Sequence, residues 1–353
     1  MNQRIRVLVA VALTAGLFLA VQLGSLALIE PFYESDRQAV EDPENPTNSI
    51  LYFGIILIAT AFMLAAFKYD LQWIIRALIV GVSVMLAWFV FAELFPGPVT
   101  VGSINVVAAV AALGVGLALL AYPEWYVIDI AGIIMGAGAA ALFGISFGLL
   151  PALVLLAVLA VYDAISVYGT EHMLDLAEGV MDLKIPVILI VPTTLSYSYL
   201  ALESAETVSN ESDEADIEGV DEAATEGIEE ADTEETNDTD EEADTGADNT
   251  DEEGNIERDA LYIGLGDAVI PTILVVSAAF FLEVDPLDVP GLLINLPALG
   301  AIVGTIAGLL VLMYMVLKGR AHAGLPLLNG GAIGGYLLGA FASGIPILTA
   351  LGF

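Results

Sequence analysis

The chain has 353 residues, a mean hydropathy of +0.82, a formal net charge of −36 and no cysteine. Apolar runs of roughly 18 or more residues recur along most of its length, which excludes a soluble domain and marks an all-α, polytopic membrane protein. The absent cysteines exclude disulfides, a thiol nucleophile and a thiolate metal site.

The charge is not spread over the chain. Of the 45 acidic residues, 26 lie between Glu203 and Asp259, beside a single basic residue, Arg258. Such a run is either a cation-binding or docking tail or a solvated linker. Its poverty in apolar residues favours the linker, because nothing in it can form a core. With only three lysines in the chain, the acidic solvent-facing segments suggest a high-salt organism.

In chain order, the basic lead Met1 to Arg6 precedes an apolar stretch from Val7 to Ile29. It is too long for a signal-peptide core and lacks a small-x-small cleavage site, so it reads as span 1. Glu30 to Ser49 is a polar loop. Span 2 runs from about Ile50 to Phe67, span 3 from about Gln72 to Phe95, span 4 from about Val99 to Ala121 and span 5 from about Tyr126 to Phe147. The turn Tyr122-Pro123-Glu124-Trp125 places aromatics where an interfacial belt would hold them. Span 6 covers about Leu150 to Tyr168, with Pro151 at its start.

Thr170 to Leu183 has one apolar face and suits an amphipathic helix at the membrane surface. Ile185 to Pro192 is apolar, β-branched and too short to cross, so it reads as a short strand or a re-entrant piece. After the acidic linker come span 7 (Leu261 to Phe281), span 8 (about Leu292 to Leu317) and span 9 (about Gly324 to Leu348). The expected organisation is an N-terminal helical part over 1–200, the acidic, disordered linker over 201–259 and a C-terminal helical part over 260–353.

The nine basic residues set an orientation. With the N-terminus inside, Arg4, Arg6, Lys68, Arg76, Lys184, Arg258, Lys318 and Arg320 fall on the cytoplasmic side and only Arg37 falls outside. The linker is then cytoplasmic and the C-terminus extracellular. Span 6 descends to the cytoplasm with Asp163 six residues before Gly169, and span 7 leaves it with Asp267 six residues after Leu261. At 1.5 Å per residue each carboxylate sits about 10 Å below the same boundary. A charge at mid-bilayer costs about 2.5–3.5 kcal/mol, so an intramembrane carboxylate is a functional-site candidate. Two that face each other can share one proton, since close like charges cannot both ionise freely. One then activates water while the other polarises a carbonyl. Gly264 and Gly266 allow close approach or local unwinding beside Asp267, and Pro271 weakens the helix one turn on.

Other candidates are weaker. Gly144-Ile145-Ser146-Phe147-Gly148 matches G-x-S-x-G without a strand-turn-helix context, and His172 and His322 belong to the opposite face. No HExxH occurs, and no metal or other cofactor is expected. Asp129 lies only a few residues into span 5, where it could be solvated, and Glu93 lies near the outer end of span 3.

Tyr162-Asp163 in span 6, Gly264-Leu265-Gly266-Asp267 in span 7 and nine spans together resemble the presenilin and signal peptide peptidase family of intramembrane aspartyl proteases. The resemblance implies that Asp163 and Asp267 are the catalytic pair of an aspartic endopeptidase, with Tyr162, Gly264, Leu265 and Gly266 shaping the site. It also implies a Pro-Ala-Leu motif at the start of span 9. Here that place reads Ala323-Gly324-Leu325-Pro326, so Leu325 and Pro326 are the matching site-shaping residues and the leading Pro and Ala are replaced. A literal Pro297-Ala298-Leu299 lies in span 8, toward the outer half. The orientation is presenilin-like, and with the acidic composition suggests an archaeal homologue. The implied partners are transmembrane-helix substrates and the lipid bilayer, with no nucleic acid. Accessory subunits are not evident, and a homo-oligomer stays open. The Val187 to Val191 segment could pair with an unwound substrate by strand addition. The competing reading is an ion or proton transporter or channel built on the same paired carboxylates. A prepilin-type peptidase shares GxGD but usually has fewer spans.

Overall fold

The computed structural model describes residues 3–69, 71–95, 100–101, 104–170, 187–192, 260–316, 318 and 323–353. The expected surface helix beyond Thr170, the acidic linker, His172 and His322 lie outside the described residues.

The helices are α1 (Gln3–Ala27), α2 (Ile29–Glu34), α3 (Thr47–Lys68), α4 (Gln72–Leu94), α5 (Val106–Ala121), α6 (Trp125–Ser146), α7 (Leu149–Ile165), α8 (Leu265–Phe281), α9 (Leu296–Val316), α10 (Gly324–Ala342) and α11 (Ile347–Ala350). A π-helical turn, Ser166–Thr170, extends α7. A two-residue ladder, β1 (Thr100–Val101) with β2 (Ile104–Asn105), precedes α5. A longer antiparallel pair, β3 (Ile188–Pro192) with β4 (Ala260–Gly264), leads into α8. Seven of the described helices, α1, α3, α4, α6, α7, α9 and α10, are long and apolar enough to cross a membrane, while α5 and α8 are apolar but shorter.

Two expected elements change. Span 4, expected from about Val99, is helical only from Val106, after the β1–β2 ladder. Span 7 is expected as a helix from Leu261, but Leu261 to Gly264 are strand and the helix begins at Leu265. An apolar run does not distinguish the two states by composition. What decides here is a partner: Leu189, Ile190 and Val191, all buried, offer a ladder to the segment ahead of the helix. The segment read as strand or re-entrant piece is thus the strand. Asp267 becomes the third residue of α8 instead of lying two turns into a longer helix.

Glycine sets the closest helix contacts. A Cβ at Gly300 or Gly304 of α9 would collide with the carbonyl of Gly335 or Gly331 of α10, and one at Gly308 with that of Leu327. The reverse holds for Gly331 and Gly335. Four-residue spacing puts these glycines on one face of each helix, so the two backbones touch and the helices run antiparallel. On the other side of the core, α8 presses into α6. A Cβ at Gly144 would collide with Val276, and one at Gly136 would crowd Leu265 and Val269. The buried stretch from Pro271 to Ala279 belongs to this packing.

At the end of the bundle away from β3 and β4, Arg37 donates through Nε and Nη2 to Glu93 Oε1, at 3.0 and 2.9 Å, and its guanidinium lies 4.4 Å from the Phe89 ring centroid. The one basic residue expected outside and Glu93, expected near the outer end of span 3, therefore share a face.

Candidate active site

Asp163 is third from the end of α7 and Asp267 third from the start of α8. Two antiparallel helices thus place their carboxylates at corresponding levels, Asp163 against Leu325 and Asp267 against the adjacent Gly324. Asp163 is 8% exposed and Asp267 half-buried.

Both converge on the start of α10. The first N–H groups of a helix have no partner within it, and a side chain at the N-cap usually accepts from them. Ala323, the N-cap of α10, has no side chain that can do so. Instead the backbone N–H of Leu325 donates to Asp163 Oδ2 at 3.0 Å. A carboxylate from another helix therefore caps α10, where the helix dipole favours negative charge. Pro326 occupies the third position, within the first turn, where a missing N–H costs nothing. Tyr168, in the π-helical turn after Asp163, accepts from the Ala323 N–H through its hydroxyl at 3.3 Å. One turn into α10, Asn329 Nδ2 donates to the Leu156 carbonyl of α7 at 2.9 Å.

Asp267 is flanked by glycine on both sides. A Cβ at Gly264 would stand 3.5 Å from Asp267 Oδ2, and one at Gly324 would stand 3.4 Å from the same oxygen. The backbones of the GxGD turn and of the α10 start thus approach the carboxylate at side-chain contact distance. Pro271 lacks the N–H that would bond the Asp267 carbonyl in an uninterrupted helix. The backbone at Asp267 is therefore tied less firmly than the turns that follow.

β3 holds the turn ahead of Asp267 in place. Leu265 N–H donates to the Val187 carbonyl at 2.7 Å, continuing the β3–β4 register in which Ile188 faces Gly264. Antiparallel pairs alternate between bonded and non-bonded positions. With 187 and 265 bonded, the backbone groups of Leu189 and Val191 point to β4, and those of Ile190 point to the opposite edge. There the Ile190 N–H donates to Asp129 Oδ1 of α6 at 2.7 Å. Asp129, whose position near the start of its span left solvation and a place in the site both open, is 5% exposed and bonded. The available signal was its position a turn into a span beside a β-branched segment that needs edge partners.

The remaining predicted residues separate. Leu265 is buried against Gly136 of α6. Gly266 is exposed, and a Cβ there would meet nothing closer than Ile270 at 3.9 Å, so it relieves no close contact of its own. Tyr162 turns from Asp163 toward α3, where its ring meets Phe53 edge-on at 5.9 Å. Pro297 and Ala298 open α9 at the far end of α10, against Gly339. Ser146 is fully buried, donates to the Leu142 carbonyl and accepts from the Ala39 N–H, so its hydroxyl is committed to structure.

The chain matches the family model described as signal-peptide peptidase, presenilin aspartyl protease over residues 15–345. It is similar to two solved structures of a presenilin-family intramembrane aspartate protease. The structure in space group C222 is 29% identical, with a TM-score of 0.59, covering 94% of this chain and 99% of that one. The structure in space group P2 is 30% identical, with a TM-score of 0.56, covering 93% and 96%. No curated protein sequence matches it.

Proposed function

The chain belongs to the signal-peptide peptidase and presenilin aspartyl protease family, and from that premise we propose that Asp163 and Asp267 are its catalytic dyad, hydrolysing peptide bonds within transmembrane segments of other membrane proteins. The observation that carries this reading is the convergence of both carboxylates on the first turn of α10.

The two groups act as a unit that holds one proton. The ionised carboxylate takes a proton from water as the water oxygen attacks the peptide carbonyl carbon. The protonated one gives its proton to the carbonyl oxygen. The tetrahedral intermediate then collapses: the carboxyl that took the water proton gives it to the amide nitrogen, the other carboxylate takes back a hydroxyl proton, the C–N bond breaks and the nitrogen leaves as an amine. The Leu325 N–H orients Asp163 throughout, because it is fixed to the helix start.

A substrate helix must expose its backbone to be cut, and strand addition would hold it extended. The β3–β4 ladder lies immediately ahead of Asp267, so the Val187 to Val191 segment and its partner strand are where such an addition would take place.

The positive-inside distribution supports an N-terminus in the cytoplasm and a C-terminus outside, over nine spans in which α5 and α8 are the short members. Substrates would then enter with their N-termini outside. The acidic excess of the chain fits an archaeal, high-salt setting.

The test is cleavage of a single-span substrate by purified protein in detergent, with Asp163→Ala and Asp267→Ala beside the wild type. Loss in both variants is expected. Cleavage surviving either substitution would sink the assignment, and ion flux in vesicles without proteolysis would transfer the carboxylates to a transporter.

A further inference from the structure

We propose that Asp129 is a positioning residue of this active site, pinning β3 by its outer edge and through the sheet fixing the turn that carries Asp267. The inference rests on the dyad reading and goes beyond it, since Asp129 is bonded to the backbone of β3 and lies on a helix outside the motifs.

The chain of contacts is short and made of hydrogen bonds. Asp129 Oδ1 accepts from Ile190 N–H at 2.7 Å. Ile190 is the middle residue of β3 and faces Tyr262 in the ladder. One residue before β3, the Val187 carbonyl accepts from Leu265 N–H at 2.7 Å, and Asp267 follows two residues later. A two-stranded ladder is marginal by itself and slips easily along its length. A slip of one residue would turn Leu189 and Val191, now buried, to the other face and would move the start of α8. The side chains of β3 resist that slip by burial against α1 and α6. The carboxylate on α6 resists it by direction, because the N–H it holds is that of Ile190, at the middle of the strand.

A structural role alone would lower stability and activity together. A positioning role predicts a division by chemistry. Asp129→Asn keeps an oxygen at the Oδ1 place and should keep both the clamp and the cleavage rate within about threefold. Asp129→Leu keeps the bulk and loses the acceptor. It should lower kcat by about tenfold or more with KM little changed, because the displaced group is Asp267, which acts on the bond being cut. Hydrogen exchange of the peptide containing Ile190, read in the Asp267→Ala background where no turnover contributes, should rise in Asp129→Leu and stay at the reference level in Asp129→Asn.

Wild-type kcat in Asp129→Leu overturns the proposal, as does an Asn variant as impaired as the Leu variant, since the accepted hydrogen bond would then not be the cause. Unchanged exchange at Ile190 in the Leu variant overturns it as well. Failure of the dyad reads differently: cleavage then survives Asp267→Ala, while exchange at Ile190 still rises on Asp129→Leu.

Discussion

Two helix starts in this molecule carry nearly the same letters and are built in opposite ways. α9 opens with the literal Pro297-Ala298-Leu299, and the Ala298 N–H donates to its own N-cap, Asn295 Oδ1, at 2.9 Å. Asn295 Nδ2 then donates to the Ala278 carbonyl at the end of α8, at 2.8 Å. That start is closed on itself and on its neighbour. α10 opens with the altered Ala323-Gly324-Leu325-Pro326, has no cap of its own, and takes Asp163 from α7 in its place. Because the two helices run antiparallel, the two starts lie about 22 Å apart, the rise of the 15 residues from Gly324 to Gly339. A matching motif is therefore located by what its first N–H groups bind. The missing cap at α10 is what gives Asp163 a fixed place.

The comparison can be broken at its hinge, at one start, or at the other. The largest effect falls on both starts together. A side chain at Gly304 or Gly335 would drive into the facing backbone, so Gly304→Val should separate α9 from α10 and abolish both folding and cleavage, seen as loss of a cooperative thermal transition. A variant with a wild-type transition would show that the glycine contact is not what holds the pair.

Next in size is the loss of one donor at α10. Leu325→Pro removes the N–H bonded to Asp163 at a position where a helix tolerates proline. The hydrogen bond is to a carboxylate, so kcat should fall about 10- to 100-fold. Leu325→Ala keeps the N–H and loses buried side chain, so it should affect stability more than kcat. Equal kcat values for the two would dismiss the backbone bond.

At α9 the order reverses. Asn295→Ala removes a cap and a buried bond and should lower unfolding stability by about 1–2 kcal/mol, with kcat unchanged. A fall in kcat at constant stability would link the two starts after all. The smallest effect belongs to Ser146→Ala, which removes local bonds at the end of α6 and should leave cleavage at the wild-type rate.

The sequence exposed those features whose physics is local. A carboxylate in an apolar run is conspicuous because its insertion is costly, and the signs and positions of nine basic residues put Asp163 and Asp267 at one level. Structure at Leu261 to Gly264 was not legible, because helix and strand compete equally for a short apolar segment until a partner strand decides. The role of Asp129 was hidden for the same reason: its ligand, the Ile190 N–H, is a backbone group that points outward only once the β3–β4 register exists. Tyr162 is a different case. Its neighbour in the motif faces α10, whereas its own ring packs on Phe53, since adjacent helical residues do not share a face. The glycines at 300, 304 and 308 and at 331, 335 and 339 repeat every fourth residue, and it is the structure that sets the two series against each other.

The central claim is that Asp163 and Asp267 act as one unit, and the most direct measurement is a double-mutant cycle on cleavage. Asp163→Asn and Asp267→Asn keep the shape of each side chain while removing its charge and its acid. If the pair is a single catalytic device, each single variant falls to background and the double variant falls no further, with thermal transitions retained throughout. Partial losses in the single variants that multiply in the double variant would show two independent groups, and would contradict the account.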